Sequence, residues 1–108
     1  MSDVDPTAEG YGQFPLRTQL GFDIDHSTPG EAVAWLDVDD RHLNPNGVVH
    51  GAVLFALVDT AMGAATMDVV ADGCFCASIE IQLRFFSAIP SGRVEARTRV
   101  VRAGKRIV

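Results

Sequence analysis

Val48 to Ala71 is the longest apolar stretch of the chain, and its titratable groups are His50, Asp59 and Asp68. A carboxylate near the centre of a lipid-facing helix costs a few kcal/mol, so the stretch reads as a buried helix of a water-soluble domain rather than a membrane span. The helical part is about residues 51–69. At about 100° per residue, Leu54, Leu57, Val58, Ala61 and Ala65 form one apolar stripe. Ala52, Ala56, Asp59, Thr60, Gly63 and Met67 fall on a second face, built of small residues around one carboxylate. A helix that is apolar nearly all round must be covered, and small residues let another backbone or a ligand come close. Asp59 is then either a structural acid paired with a backbone N–H or a cation, or a functional one.

The segments around this helix alternate with a period of two. Ala32, Ala34, Leu36 and Val38 alternate with Glu31, Trp35 and Asp37, and the Thr28-Pro29-Gly30 turn pairs residues 31–38 with roughly 20–26. Ile79, Ile81, Leu83 and Phe85 alternate with Ser78, Glu80, Gln82 and Arg84, giving a third strand. After Pro90-Ser91-Gly92, Val94, Ala96, Thr98 and Val100 alternate with arginines and Glu95, giving a fourth. Two strands, one long helix and two or more strands make an α+β pattern, an antiparallel sheet packed on one helix. With 108 residues, 47% of them hydrophobic, the chain has material for one core. Residues 1–13 read as a flexible acidic tail and 14–108 as the domain.

A net charge of -5 and a pI near 4.9 lack the basic footprint of a nucleic-acid binder. The charge is uneven, with nine acids and one base in residues 1–40 and eight bases and five acids in 41–108, so an anionic small ligand could meet the second half. Cys74 and Cys76 can build neither a disulfide framework nor a four-ligand zinc site, and they read as packing residues at a strand start. A reducing, cytoplasmic setting fits, and the acidic N-terminus has no signal-peptide character. No metal and no cofactor is called for.

Residues 41–51, RHLNPNGVVHG, form a Pro-Asn-Gly turn that delivers His50 and Gly51 to the start of the helix. Glycine leaves the first N–H groups unobstructed, and the helix dipole adds to their pull on a negative oxygen, which makes an oxyanion site. Taken singly, Asn44 is an ordinary turn former, His42 a solvated loop histidine and His50 a capping residue. As a string, HLNPNGVVHGAVLFALVDTAMGAA resembles the signature of the PaaI-like (phenylacetate-pathway) hotdog-fold acyl-CoA thioesterases, with His42, Asn44, Gly47, His50, Gly51, Asp59 and Gly63 at matching spacing. The resemblance covers roughly residues 16–108, and SIEIQLRFFSAIPSG is similar to the family's later strand and turn. Ala52 departs from it, standing where the family usually has a second glycine. Family members also continue through two more strands where this chain stops at Ile107-Val108, so the C-terminal strands of the hotdog fold are expected to be truncated. A sheet cut there exposes an edge and part of the helix's apolar face, so the natural protein is expected to be longer, or the 108-residue form to be poorly soluble or repaired by strand pairing with another chain.

The resemblance implies hydrolysis of an acyl-CoA thioester, aryl or medium-chain, in a homodimer or dimer of dimers, with neither nucleic acid nor membrane as partner. The Gly51 N–H would polarise the carbonyl, Asp59 would be base or nucleophile, Asn44 would position the water or the carbonyl, and His50 would shape the pocket and hydrogen-bond the thioester. Ser78 stands where some relatives hold the water by a hydroxyl, and it reads equally as an outward polar strand position. His42, Gly47 and Ala52 belong to the same substrate-binding string. Phe55, Met62, Phe85 and Phe86 are most simply core, although relatives line the acyl pocket with such side chains. Arg97 and Arg99, in a basic run with Arg102, Lys105 and Arg106, read as a solvated strand face or as a landing place for coenzyme A phosphates. Gly51 and Asp59 are eight residues apart, about 12 Å along one helix, too far for one chain to hold both ends of a thioester attack, so each site is expected to be shared by two antiparallel helices. A hotdog enoyl-thioester hydratase and a non-catalytic acyl-CoA-binding or inactive protein are the alternatives.

Overall fold

The computed structural model describes residues 4–108, so Met1 to Asp3 of the expected tail lie outside the described residues. Residues 5–13 form successive turns closed by the Ala8 N–H to Asp5 O, Tyr11 N–H to Ala8 O and Gln13 N–H to Gly10 O bonds. A short helix, α1 (Pro15–Leu20), follows, which the sequence reading did not anticipate. Its signals are local: Pro15 opens it with φ preset and no N–H to satisfy, and Gly21 closes it at φ 68° in the left-handed region.

Strands β1 (Asp23–Asp25) and β2 (Glu31–Asp37) pair antiparallel through the expected turn, with Ile24 opposite Ala34. β3 (Arg93–Arg99) lies on the other side of β2, in a register that sets Leu36 opposite Val94, Ala34 opposite Ala96 and Ala32 opposite Thr98. Those six residues form the inward face, across which α2 (Gly51–Met67) packs. Alanines at 32, 34 and 96 keep that face shallow, which brings the helix close. Thr98 Oγ1 lies 3.2 Å from Ala32 O and 3.1 Å from Ala61 O, so one hydroxyl joins sheet to helix.

The buried side of α2 is Val53, Leu57, Ala61 and Ala65, an i, i+4 row that meets Phe22, Ala32, Ala34, Leu36 and Val49 in the core. The expectation of a helix covered all round is corrected, because Ala52, Phe55 and Met62 on its other side are exposed. A second correction concerns residues 78–86, expected as a strand. They lie over α2 instead of in a ladder, so a single strand follows the helix among the described residues. Alternation decides which side chains share a face; a strand also needs a partner edge, and among the described residues this segment has none, touching α2 at Ser78 and Phe85 instead. Phe85 and Phe86 are accordingly exposed, Phe86 at 92%, and Cys74 is exposed rather than packed at a strand start. No helix among the described residues is long and apolar enough to cross a membrane.

Candidate active site

The loop leading into α2 is built on two side chains that the sequence offered as ligand contacts. Asp39 caps a one-turn 3-10 helix, Asp40–His42, and His42 folds back so that its Nδ1 accepts from the Asp39 N–H at 2.9 Å. The ring proton is therefore on Nε2, which donates to Leu20 O at 2.6 Å. With both nitrogens spent on main chain and no exposed surface, His42 is a buried brace between α1 and the loop, in place of the expected solvated or ligand-touching histidine. Asn44 Oδ1 accepts from Asn46 N–H at 2.8 Å and Val48 N–H at 3.4 Å, wrapping the turn in which Gly47 takes φ 77°. That leaves the Asn44 amide nitrogen as the group it can offer a ligand. The turn is clamped by the Leu43–Val49 bridge, by His50 N–H on His42 O and by Val49 N–H on Ile89 O.

His50 is the N-cap of α2, its Nδ1 accepting from the Ala52 N–H at 2.9 Å. Gly51, as the first helical residue, has no intrahelical acceptor for its N–H. The amide of residue 52 is thus already engaged and that of residue 51 is not, so Ala52 in place of a second glycine removes no available donor. A side chain at 51 would press on the Phe85 ring, whose Cζ stands 3.3 Å from where its Cβ would be. Phe85 therefore walls the helix N-terminus instead of packing in the core, its simplest reading from sequence.

Two turns further along α2, Asp59 Oδ1 accepts a hydrogen bond from Ser78 Oγ at 2.9 Å. The two are 19 residues apart in sequence, and Asp59 is half-buried on the side of α2 away from the sheet. Cys76 Sγ lies 3.8 Å from Gly63 O, so residues 76–85 descend the helix from Gly63 past Asp59 to Gly51. Within one chain the structure thus joins Ser78 to Asp59 by a hydrogen bond, and sets Asn44 on the turn that leads into His50 and Gly51 at the helix start. Arg97 and Arg99 join neither, since they alternate outward on β3, on the sheet face away from α2, and Arg97 is paired with Glu95 at 2.7 Å. Phe55 is partly exposed on α2 rather than in the core. Among the described residues no group of three or more His, Cys, Asp or Glu could hold a metal ion.

Residues 46–108 match the Thioesterase superfamily. The Bacillus subtilis (strain 168) protein named "Putative esterase ComA2" is 30% identical over 91 residues, 83% of this chain and 72% of that protein. The conserved protein PA5202 from Pseudomonas aeruginosa superposes with a TM-score of 0.82 at 25% identity, covering 91% of this chain and 79% of that one. The Escherichia coli PaaI protein of the phenylacetic acid degradation operon superposes with a TM-score of 0.77 at 28% identity, covering 88% of this chain and 67% of its own. A long helix crossing an antiparallel sheet agrees with this kinship, and the chain belongs to the thioesterase superfamily as a PaaI-like hotdog protein.

Proposed function

We propose that the protein hydrolyses an acyl-CoA thioester to the free acid and coenzyme A. The observation that carries the reading is the Ser78–Asp59 hydrogen bond, which fixes one carboxylate oxygen and leaves the other to act on a water or on the carbonyl. Water adds to the thioester carbon while Asp59 takes its proton, the carbonyl oxygen becomes an oxyanion held by the Gly51 N–H, and collapse breaks the C–S bond with the thiolate leaving as the protonated thiol. Asn44 offers its amide N–H to the carbonyl or the water, and the Nε2–H of His50 borders the same space. Direct attack by Asp59 uses the same groups but expels the thiolate to form an acyl–aspartyl anhydride, which water then opens to the acid and the free carboxylate, and trapping that anhydride in a rapidly quenched single turnover distinguishes the two routes.

The distance along α2 adds a second subunit to this proposal. Gly51 and Asp59 are about 12 Å apart along the helix axis, while attack requires groups within roughly 6 Å of a common carbon. Two copies packed antiparallel along the exposed Ala52, Phe55 and Met62 side would set one chain's helix start beside the other's Asp59. Release of thiol from acyl-CoA tests the activity, and Asp59→Ala is expected to lower it about 10²–10⁴-fold. Enoyl-CoA hydration without thiol release would mark the hydratase, and binding without either reaction the non-catalytic protein. Mixing inactive Asn44→Ala with inactive Asp59→Ala should restore roughly a quarter of wild-type activity after random subunit exchange, because each heterodimer has one intact site. No recovery in demonstrated heterodimers would put both residues in one chain's site.

A further inference from the structure

Backbone conformation does not explain why residue 51 is glycine. It stands at the first position of α2 and is not among the glycines with positive φ, so an alanine could adopt the same conformation. What a side chain there would meet is one ring: Phe85 Cζ lies 3.3 Å, Cε1 3.6 Å and Cε2 3.7 Å from the place of a Cβ at residue 51. Resting on thioester hydrolysis with the Gly51 N–H as donor to the carbonyl, we infer that Phe85 is a positioning residue of that reaction, whose ring takes the space that glycine leaves and keeps water from the helix start where the oxyanion forms.

The hydrophobic core does not account for the placement of Phe85. Its side chain is 60% exposed, and it belongs neither to the buried cluster nor to the residues packed against that cluster. The chain fixes its position from both ends instead. Ser78 Oγ donates to Asp59 on one side, and on the other Ile89 O accepts at 2.8 Å from the N–H of Val49, two residues before Gly51. The segment between these anchors carries the ring to the helix start. There His50 already holds the Ala52 N–H, so the Gly51 N–H is the donor left for a ligand. A donor without an intrahelical acceptor is otherwise met by water, which competes with an incoming oxygen. An apolar ring beside it narrows the approach of water and lowers the local dielectric, and the same N–H then holds a developing negative charge more strongly. The gain is greater for the oxyanion than for the neutral carbonyl of the bound substrate, so it belongs to kcat rather than to KM.

The test compares wild type with Phe85→Ala, Phe85→Leu, Gly51→Ala and the double variant Gly51→Ala/Phe85→Ala, each first checked for wild-type fold and assembly by circular dichroism and light scattering. Phe85→Ala removes an exposed ring and should fold in any event. With whichever of acetyl-, octanoyl- or phenylacetyl-CoA turns over fastest, it should lower kcat about tenfold, less than the loss of about 10²–10³ for removing a whole oxyanion donor, and leave KM within about twofold. Phe85→Leu keeps an apolar side chain at the site and should recover most of the loss. Gly51→Ala forces the ring to give by a few tenths of an ångström and should lower kcat severalfold. The double variant should match Phe85→Ala to within about twofold, because the ring can be lost only once. An unchanged or raised kcat in Phe85→Ala, or losses that multiply in the double variant, overturns the inference. Infrared spectroscopy of a ¹³C-carbonyl ketone analogue of the substrate, with CH2 in place of the thioester sulfur, reads the donor without turnover. Its carbonyl stretch should move to lower frequency on binding wild type and move less on binding Phe85→Ala. That difference, in a protein that hydrolyses nothing, would sink the proposed activity and keep the role of Phe85; hydrolysis with the same stretch in both proteins would do the reverse.

Discussion

Residues 78–85 and residues 93–99 are written in the same two-residue alternation, yet their structures differ. The second is β3, joined to β2 by seven registered pairs. The first lies over α2, held at Ser78 by a hydrogen bond to Asp59 and at Phe85 by contact with Gly51. β3 turns its half-buried residues to the helix and its charged ones to water. The other segment turns apolar residues outward, with Ile79 at 84% exposure. An alternating pattern tells which residues share a face, and the available edge decides whether a ladder forms. The segment without a ladder is also the one that carries the polar partner of the candidate catalytic acid.

The contrast is broken most sharply by deleting side chains on the two sides of α2. Leu57→Ala, in the fully packed row under the sheet, should destabilise by about 2–5 kcal/mol, whereas Ile79→Ala should stay within about 0.5 kcal/mol in the same chain. Denaturant melts of both variants check this. An equal cost would mean that the outer segment is covered in solution, as the proposed second subunit would do, and assembly measured by light scattering separates the two cases.

The same division explains what could be read from the sequence. The inward row of β2, the turn at Thr28-Pro29-Gly30, the β3 alternation and the span of α2 all follow from periods and breakers, because each depends on neighbours within a few residues. Which side of α2 the chain itself covers was not legible, since an apolar helix is the same string whether its second face meets its own strands or another molecule. His42 was misjudged for a related reason. A histidine in a polar loop looks solvated until α1, itself marked only by Pro15 and Gly21, brings Leu20 O over it. Asp59, Gly51 and Asn44 stood out by resemblance to the thioesterase string. The bond from Ser78, 19 residues away, needed coordinates.

A smaller effect is expected where sheet and helix share one hydroxyl. Thr98 has a single proton for Ala32 O and Ala61 O, so Thr98→Val should lose about 0.5–1.5 kcal/mol without changing the fold. Hydrogen exchange sharpens this, since the loss should show first in amides of β3 and the middle of α2 and leave the 78–86 segment as it was. Loss of protection confined to that segment would show that it, rather than the sheet, leans on Thr98.

The smallest effect belongs to the outer face of the ladder and depends on pH. Asp37 and Arg93 are registered partners across β2 and β3, and the carboxylate accepts from Arg93 Nε at 2.9 Å and from its Nη2 at 3.1 Å. That hydrogen bonding outweighs the opposing effect of desolvation and, with a still smaller pull from the positive charge of Arg93, holds the Asp37 carboxyl below the ordinary aspartate value. Arg93 is raised in turn, chiefly by Asp37, with Glu95 and Asp23 adding attraction. A carboxylate whose folded pKa is depressed contributes stability above its unfolded pKa and loses it as pH falls through the folded value. Arg93→Gln should therefore be slightly less stable than wild type at neutral pH, and the two should converge as pH falls below about 4, where Asp37 is protonated in the unfolded chain and then in the folded one. Added salt should narrow the neutral-pH gap, because the pair is exposed to solvent. Thermal melts of both proteins from pH 7 to pH 3 read the sign directly, and a gap that widens in acid would show that Asp37 is not the group to which Arg93 lends its stability.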